Sequence, residues 1–148
     1  MTRRILILLL ALAMVSPAAA ESRWVFCKSY VNVRMSANKT SPVVGRLDAC
    51  DEFETDGTVR NGFLKVYGVG ENGVGWVFAG FTSEDRPEEE NVHYVCAAVK
   101  RVACRRWIGG PRNRWLNNGS RVMVYYTTEY WCVTSRGYIA REWLDADP

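Results

Sequence analysis

From Glu21 onward, apolar positions come in short β-branched and aromatic runs broken by Gly, Asn, Asp and Ser clusters. No stretch holds a helical apolar period of about 3.6 residues for three turns. The pattern predicts an all-β chain, with candidate strands at residues 24–27, 43–47, 52–59, 63–68 and 75–78, then 94–98, 121–127, 130–134 and 137–140. Asn61-Gly62, Asn72-Gly73 and Asn118-Gly119 supply turns where a positive φ is wanted. The acidic stretch 83–92, with Pro87 inside it, has no apolar period and reads as a linker.

The strands form a pattern that occurs twice. Val31-Asn32-Val33-Arg34 opens the first copy, and Gly75-Trp76-Val77 with Phe81 closes it. Val102-Ala103-Cys104-Arg105 opens the second, closed by Gly137-Tyr138-Ile139 with Trp143 and Leu144. The expected organisation is two tandem units, 21–82 and a divergent 93–148.

Residues 1–20 read differently. Arg3 and Arg4 precede an apolar stretch from Ile5 to Val15, and Pro17-Ala18-Ala19-Ala20 offers a small-residue cleavage site. The segment predicts a cleaved secretory signal, cut after Ala20. Its apolar run is short of the roughly 20 residues needed to span a bilayer. The expectation is a periplasmic or secreted protein with no stable membrane insertion after cleavage.

Charge sharpens the division between the units. Residues 21–91 hold 8 Lys and Arg against 12 Asp and Glu, whereas residues 92–148 hold 9 against 4. The second unit therefore suits an anionic partner better than the first. All five cysteines, Cys27, Cys50, Cys96, Cys104 and Cys132, follow the leader, where an oxidising compartment lets disulfides persist. They cannot all pair within one chain, and the connectivity stays open. Locality favours Cys27 with Cys50, and two of the remaining three with each other. No CxxC spacing occurs and His93 is the single histidine, so neither a metal site nor a cofactor is expected.

The ordered landmarks of the first copy resemble the bacterial SH3-like (SH3b) domain. They are the Val31–Arg34 strand, the polar loop 35–41, Val43-Val44-Gly45-Arg46-Leu47 with Phe53 beyond, the aromatic strand from Phe63 to Val66, and Gly75-Trp76-Val77 with Phe81. Met35-Ser36 departs from the Ser-Gly usual in that family. The second copy follows the pattern less closely, through Cys104-Arg105, Leu116, Val122, Trp131-Cys132-Val133, Gly137-Tyr138-Ile139 and Trp143-Leu144. The resemblance implies a small, strongly bent β-barrel in each unit. It also implies export and attachment to cell-wall peptidoglycan, a role such domains often play as targeting parts of wall hydrolases.

Binding suits these residues better than catalysis. A Cys-His or Ser-His-Asp hydrolase would have to use His93, which falls beside the linker, and two small units leave no room for a catalytic domain. Candidate ligand contacts are Phe81, with Trp76 and Phe78, in the first unit and Trp107, Tyr138 and Trp143 in the second. Trp76 and Tyr138 are also natural core residues. Trp107 is flanked by Arg105, Arg106, Arg112 and Arg114 around a Gly109-Gly110-Pro111 loop, which suits carboxylates, phosphates or an acidic protein. Nucleic acid would also fit such residues, but export argues against it. Two functions remain open: a peptidoglycan or wall-protein binder, and an inhibitor, immunity or regulatory protein acting on an envelope enzyme. An envelope scaffold is a third.

Overall fold

The computed structural model describes residues 20–70 and 72–146, so the predicted leader lies outside the described residues except for Ala20. The chain is all-β in two antiparallel sheets. The first holds β1 (Glu21–Val25), β2 (Tyr30–Arg34), β3 (Val43–Asp48), β4 (Glu52–Thr55), β5 (Val59–Arg60), β6 (Phe63–Tyr67), β7 (Val74–Phe78) and β8 (Thr82–Ser83). The second holds β9 (Glu88–Cys96), β10 (Arg101–Arg105), β11 (Arg112–Asn117), β12 (Arg121–Thr127), β13 (Trp131–Thr134), β14 (Gly137–Ala140) and β15 (Leu144–Ala146).

The repeat read from the sequence is a repeat of topology. The first sheet runs β3-β2-β7-β6-β4-β1-β8, with β5 hung on β6, and the second runs β11-β10-β14-β13-β12-β9-β15, its counterpart strand for strand. One irregularity coincides as well. A register shift falls between Val33 and Arg34 and again between Cys104 and Arg105, and Arg34 pairs with Trp76 as Arg105 pairs with Tyr138. In each sheet a single 3-10 turn, Ala79–Phe81 or Arg141–Trp143, leads into the last strand.

Alternation builds each core. In β2 and β10 the residues facing in are Val31 and Val33, and Val102 and Cys104, while their neighbours face out. These join two separate clusters, one around Val25, Val33, Leu64, Val66 and Val77, the other around Cys96, Cys104, Val124, Cys132 and Ile139. A fully buried Val or Leu contributes about 1.5–3 kcal/mol, so each cluster is the main support of its sheet. A third cluster, Phe26, Val133 and Tyr138 with Phe81 and Trp107, lies across the seam between the sheets.

Four features differ from expectation. Each sheet is an open path rather than a closed barrel, because the Ala49–Asp51 turn bonds to Val25 and Ser29 instead of laddering β3 onto β4. The predicted linker is mostly strand: Glu88 and Glu89 pair with Thr127 and Tyr126 of β12, leaving only residues 84–87 outside strands. A ladder needs backbone groups rather than apolar side chains, and Asn91, at φ 49°, takes up the bulge. The basic loop after Pro111 is edge strand β11 from Arg112 onward. Finally, the predicted strand 52–59 breaks at Asp56-Gly57-Thr58, where Gly57 takes φ 82°.

That break carries a pH-sensitive contact. The Asp56 carboxylate accepts the Thr58 N–H at 2.9 Å and the Tyr67 hydroxyl at 2.7 Å. Bonds to Thr58 first, then to Tyr67, lower its pKa from 3.8 to about 2. A carboxyl lowered on folding stabilises above its unfolded value, and that contribution drains away as pH falls from about 4 to about 2. Asp56→Asn should therefore flatten the acid limb of stability in urea melts between pH 2 and 5. Identical acid limbs in the two proteins would show the turn makes no such contribution.

Candidate functional site

A groove of about 680 Å³ opens on the first sheet and is closed on one side by Trp107 of the second. The side chains of Phe63, Phe78, Phe81 and Trp107 give it apolar walls, with Tyr30 from β2 beside them. Asn32, Asn38 and Asn61 supply amides, and Arg34 and Lys39 supply positive charge. Among the described residues no carboxylate lines it. Such a site suits a ligand with an apolar or sugar-like face and an anionic or hydrogen-bonding edge.

The rings are held in a chain. Phe78 meets Phe63 at 5.7 Å, Phe81 at 5.2 Å and Trp107 at 4.8 Å between centroids, each edge to face. Phe81 stacks on Tyr138 at 6.2 Å, and Tyr138 meets Phe26 edge-on at 5.6 Å. The Tyr138 hydroxyl donates to the Phe26 carbonyl oxygen across the seam. Burial raises the pKa of that phenol, so it remains a neutral donor.

Two glycines make the slot for Trp107. A Cβ on Gly80 would lie 2.5 Å from its Cδ1, and one on Gly110 would lie 2.5 Å from its Nε1. The Gly110 N–H donates to the Trp107 carbonyl oxygen at 3.0 Å, which closes the turn. The opposite rim is the 35–42 loop. Arg34 donates to the Ser41 carbonyl oxygen at 2.9 Å and Asn61 to that of Ala37 at 3.2 Å, so the rim is tied at two points.

The structure redistributes the expected site residues. Phe78, Phe81 and Trp107 do share one groove. Trp76 and Tyr138 are buried, as their core role requires. The arginines do not gather at Trp107. Arg105 donates to the Gly110 carbonyl oxygen at 2.8 Å and shapes the turn, Arg106 is exposed, and Arg112 and Arg114 sit on edge strand β11. There Arg112 and Arg101 lie 4.5 and 4.0 Å from the centre of the half-exposed Trp115 ring. Trp143 takes the place in the second sheet that Phe81 takes in the first: the Ala97 N–H donates to its carbonyl oxygen, as Phe26 donates to that of Phe81.

Asn32, Arg34, Lys39, Asn61 and Phe63 are groove residues that the sequence marks only as landmarks, and Tyr30 is one it does not single out. Their signal was the apolar-Asn-Val-Arg strand and the polar loop behind it. The second sheet does not repeat the groove. Trp131 stands for Phe63, but Ala140 replaces Phe78, the central ring, and the smaller hollow of about 460 Å³ there is flanked by Glu129 and Glu142.

None of the five cysteines is bridged. Burial pushes the Cys27 and Cys104 thiols up to about 11 and raises Cys50, Cys96 and Cys132 as well. A thiol raised in this way is a poor nucleophile near neutral pH. His93 is exposed on β9, opposite Met123 of β12. Among the described residues no His, Cys, Asp and Glu group is arranged to hold a metal.

No protein-family model and no curated protein matches the chain. Among solved structures it is similar to NlpC1 from Trichomonas vaginalis, at 15% identity and a TM-score of 0.38 over 89% of this chain and 48% of that one. It is similar also to NlpC2 from the same organism, at 13% identity and a TM-score of 0.38, over 89% and 50%. The chain thus spans about half the length of each, and a likeness this slight carries nothing about activity.

Proposed function

We propose that the chain is an exported, non-catalytic binding protein, a tandem pair of SH3-like units built on the sheets at 21–83 and 88–146, that holds cell-wall peptidoglycan in the groove between Tyr30 and Trp107. The observation that carries this reading is the groove itself, with aromatic walls, three amides, two cations and no carboxylate. Peptidoglycan offers matching chemistry, with sugar and methyl faces beside stem-peptide carboxylates. The raised thiol pKa values favour binding over nucleophilic catalysis. The leader at 1–20 supports delivery to the periplasm or outside.

Co-sedimentation with purified sacculi at physiological salt tests the reading. The wild type should be retained. Lys39→Glu, which reverses a charge on an exposed rim, should weaken retention by about tenfold, as expected for losing a charged hydrogen bond. A triple variant with Arg106, Arg112 and Arg114 changed to alanine should bind as the wild type does. Failure of the wild type to sediment would end the wall-binding reading.

The second reading, an inhibitor, immunity or regulatory protein bound to an envelope enzyme, is favoured by β11. Its exposed Arg101-Trp115-Arg112 stack has the composition of a protein-binding hot spot. Under that reading the triple variant, rather than Lys39→Glu, would lose its partner.

A further inference from the structure

The two sheets share strand order and turn hydrogen bonds closely enough to say what each cysteine replaces. At the end of β1 the Val25 N–H donates to Asp51 and its carbonyl accepts from Cys50, both at 2.9 Å, while Ala49 donates to Ser29 at 2.7 Å. At the end of β9 Cys96 bonds in the same way to Ser120 and Gly119, at 2.9 and 2.8 Å, while Asn118 donates to Lys100 at 3.0 Å. Matching these bonds sets Ala98 against Cys27 and Gly119 against Cys50. It also sets Cys96 against Val25, and the strand orders set Cys104 against Val33 and Cys132 against Leu64.

The five cysteines therefore divide into two kinds. Cys96, Cys104 and Cys132 stand where the first sheet has aliphatic core residues, and each is buried among apolar neighbours. Cys27 and Cys50 are both replaced in the second sheet by small residues. Cys50 also sits at φ 67°, a left-handed conformation that costs any side chain, and its counterpart Gly119 has φ 84°. A lone cysteine gains nothing there over glycine.

Backbone bonds also bring the pair together. Cys27 lies midway between Val25 and Ser29, whose carbonyls accept from Cys50 and Ala49. Burial raises the Cys27 thiol most, and charge on Cys50 adds to it.

We propose that Cys27 and Cys50 form a disulfide that pins the end of β1 to the turn between β3 and β4. Two S–H bonds break and one S–S bond forms. The S–S bond of an external disulfide breaks in exchange, and the two protons and two electrons pass to it, so that it leaves as two thiols. The bond fixes the residue next to Phe26, whose buried ring packs on Tyr138 at the seam. The geometry that holds Trp107 over the groove is thereby tied to oxidation of the first sheet.

The full chain, equilibrated with oxidised and reduced glutathione and digested with trypsin after alkylation, should yield residues 24–28 linked to residues 47–60. Reduction should lower the Tm of the wild type by about 10 °C more than that of a Cys27→Ala, Cys50→Gly double variant. The double variant carries the pair the second sheet already uses, so it should fold. Linkage of Cys27 or Cys50 to another cysteine would overturn the proposal. So would alkylation of both after equilibration, or equal shifts on reduction in the two proteins. The peptide map decides the matter even if the double variant does not fold.

Discussion

Replacing Trp107 with alanine is expected to lower stability by about 3 kcal/mol and to weaken retention on sacculi by at least tenfold. Its ring meets Phe78 at 4.8 Å and Phe81 at 6.3 Å, and it fills the slot between Gly80 and Gly110. Truncating a buried Trp commonly costs about 3–5 kcal/mol, and partial exposure at the groove puts this one at the low end. The same ring is the groove's far wall, so one change should act on stability and on binding. The measurements are a urea melt and co-sedimentation at a temperature where the variant remains folded. Loss of stability with unchanged retention would move the ligand out of the groove. Unchanged stability would mean the seam is not packed in solution.

This double duty explains what the sequence could and could not disclose. The paired Gly-aromatic-aliphatic triplets were legible as a repeat because each has one local job, to lay a strand beside the arginine that ends β2 or β10. The aromatic character of Phe78, Phe81 and Trp107 was legible too. Their meeting was not, because it depends on a seam where Tyr138 reaches a carbonyl 112 residues away. Phe26 looks like an ordinary strand residue until that partner arrives.

The misplaced arginines follow from a different cause. Residues 112–117 carry the polar and basic side chains that edge strands tolerate, and Gly109-Gly110-Pro111 marks a turn before them. Nothing in such a pattern separates an edge strand from a loop. The acidic stretch that opens β9 reads as a linker for the same reason. In both places backbone pairing decides the structure, and side-chain pattern records only how much water the strand meets.

Gly75→Ala should cost about 3 kcal/mol, at the upper end of what overpacking a core usually costs, and lower the Tm by roughly 10 °C. The added Cβ would lie 2.3 Å from Val33 Cγ1, 3.4 Å from the Arg34 carbonyl oxygen and 3.6 Å from that of Val69. Val33 is fully buried, and a β-branched side chain has few other rotamers to adopt. Relief must come from parting β2 and β7, the pairing on which the groove's Arg34 and Phe78 both depend. The companion change at Gly137 meets a backbone atom instead, the Arg105 carbonyl oxygen at 2.8 Å, at a φ of 130° that itself disfavours a side chain. Gly137→Ala should therefore destabilise at least as much as Gly75→Ala. Urea melts of the two variants beside the wild type test the ranking. A loss below about 1 kcal/mol at Gly75 would show that Val33 moves aside and that the triplet's glycine is not there to bring the strands together.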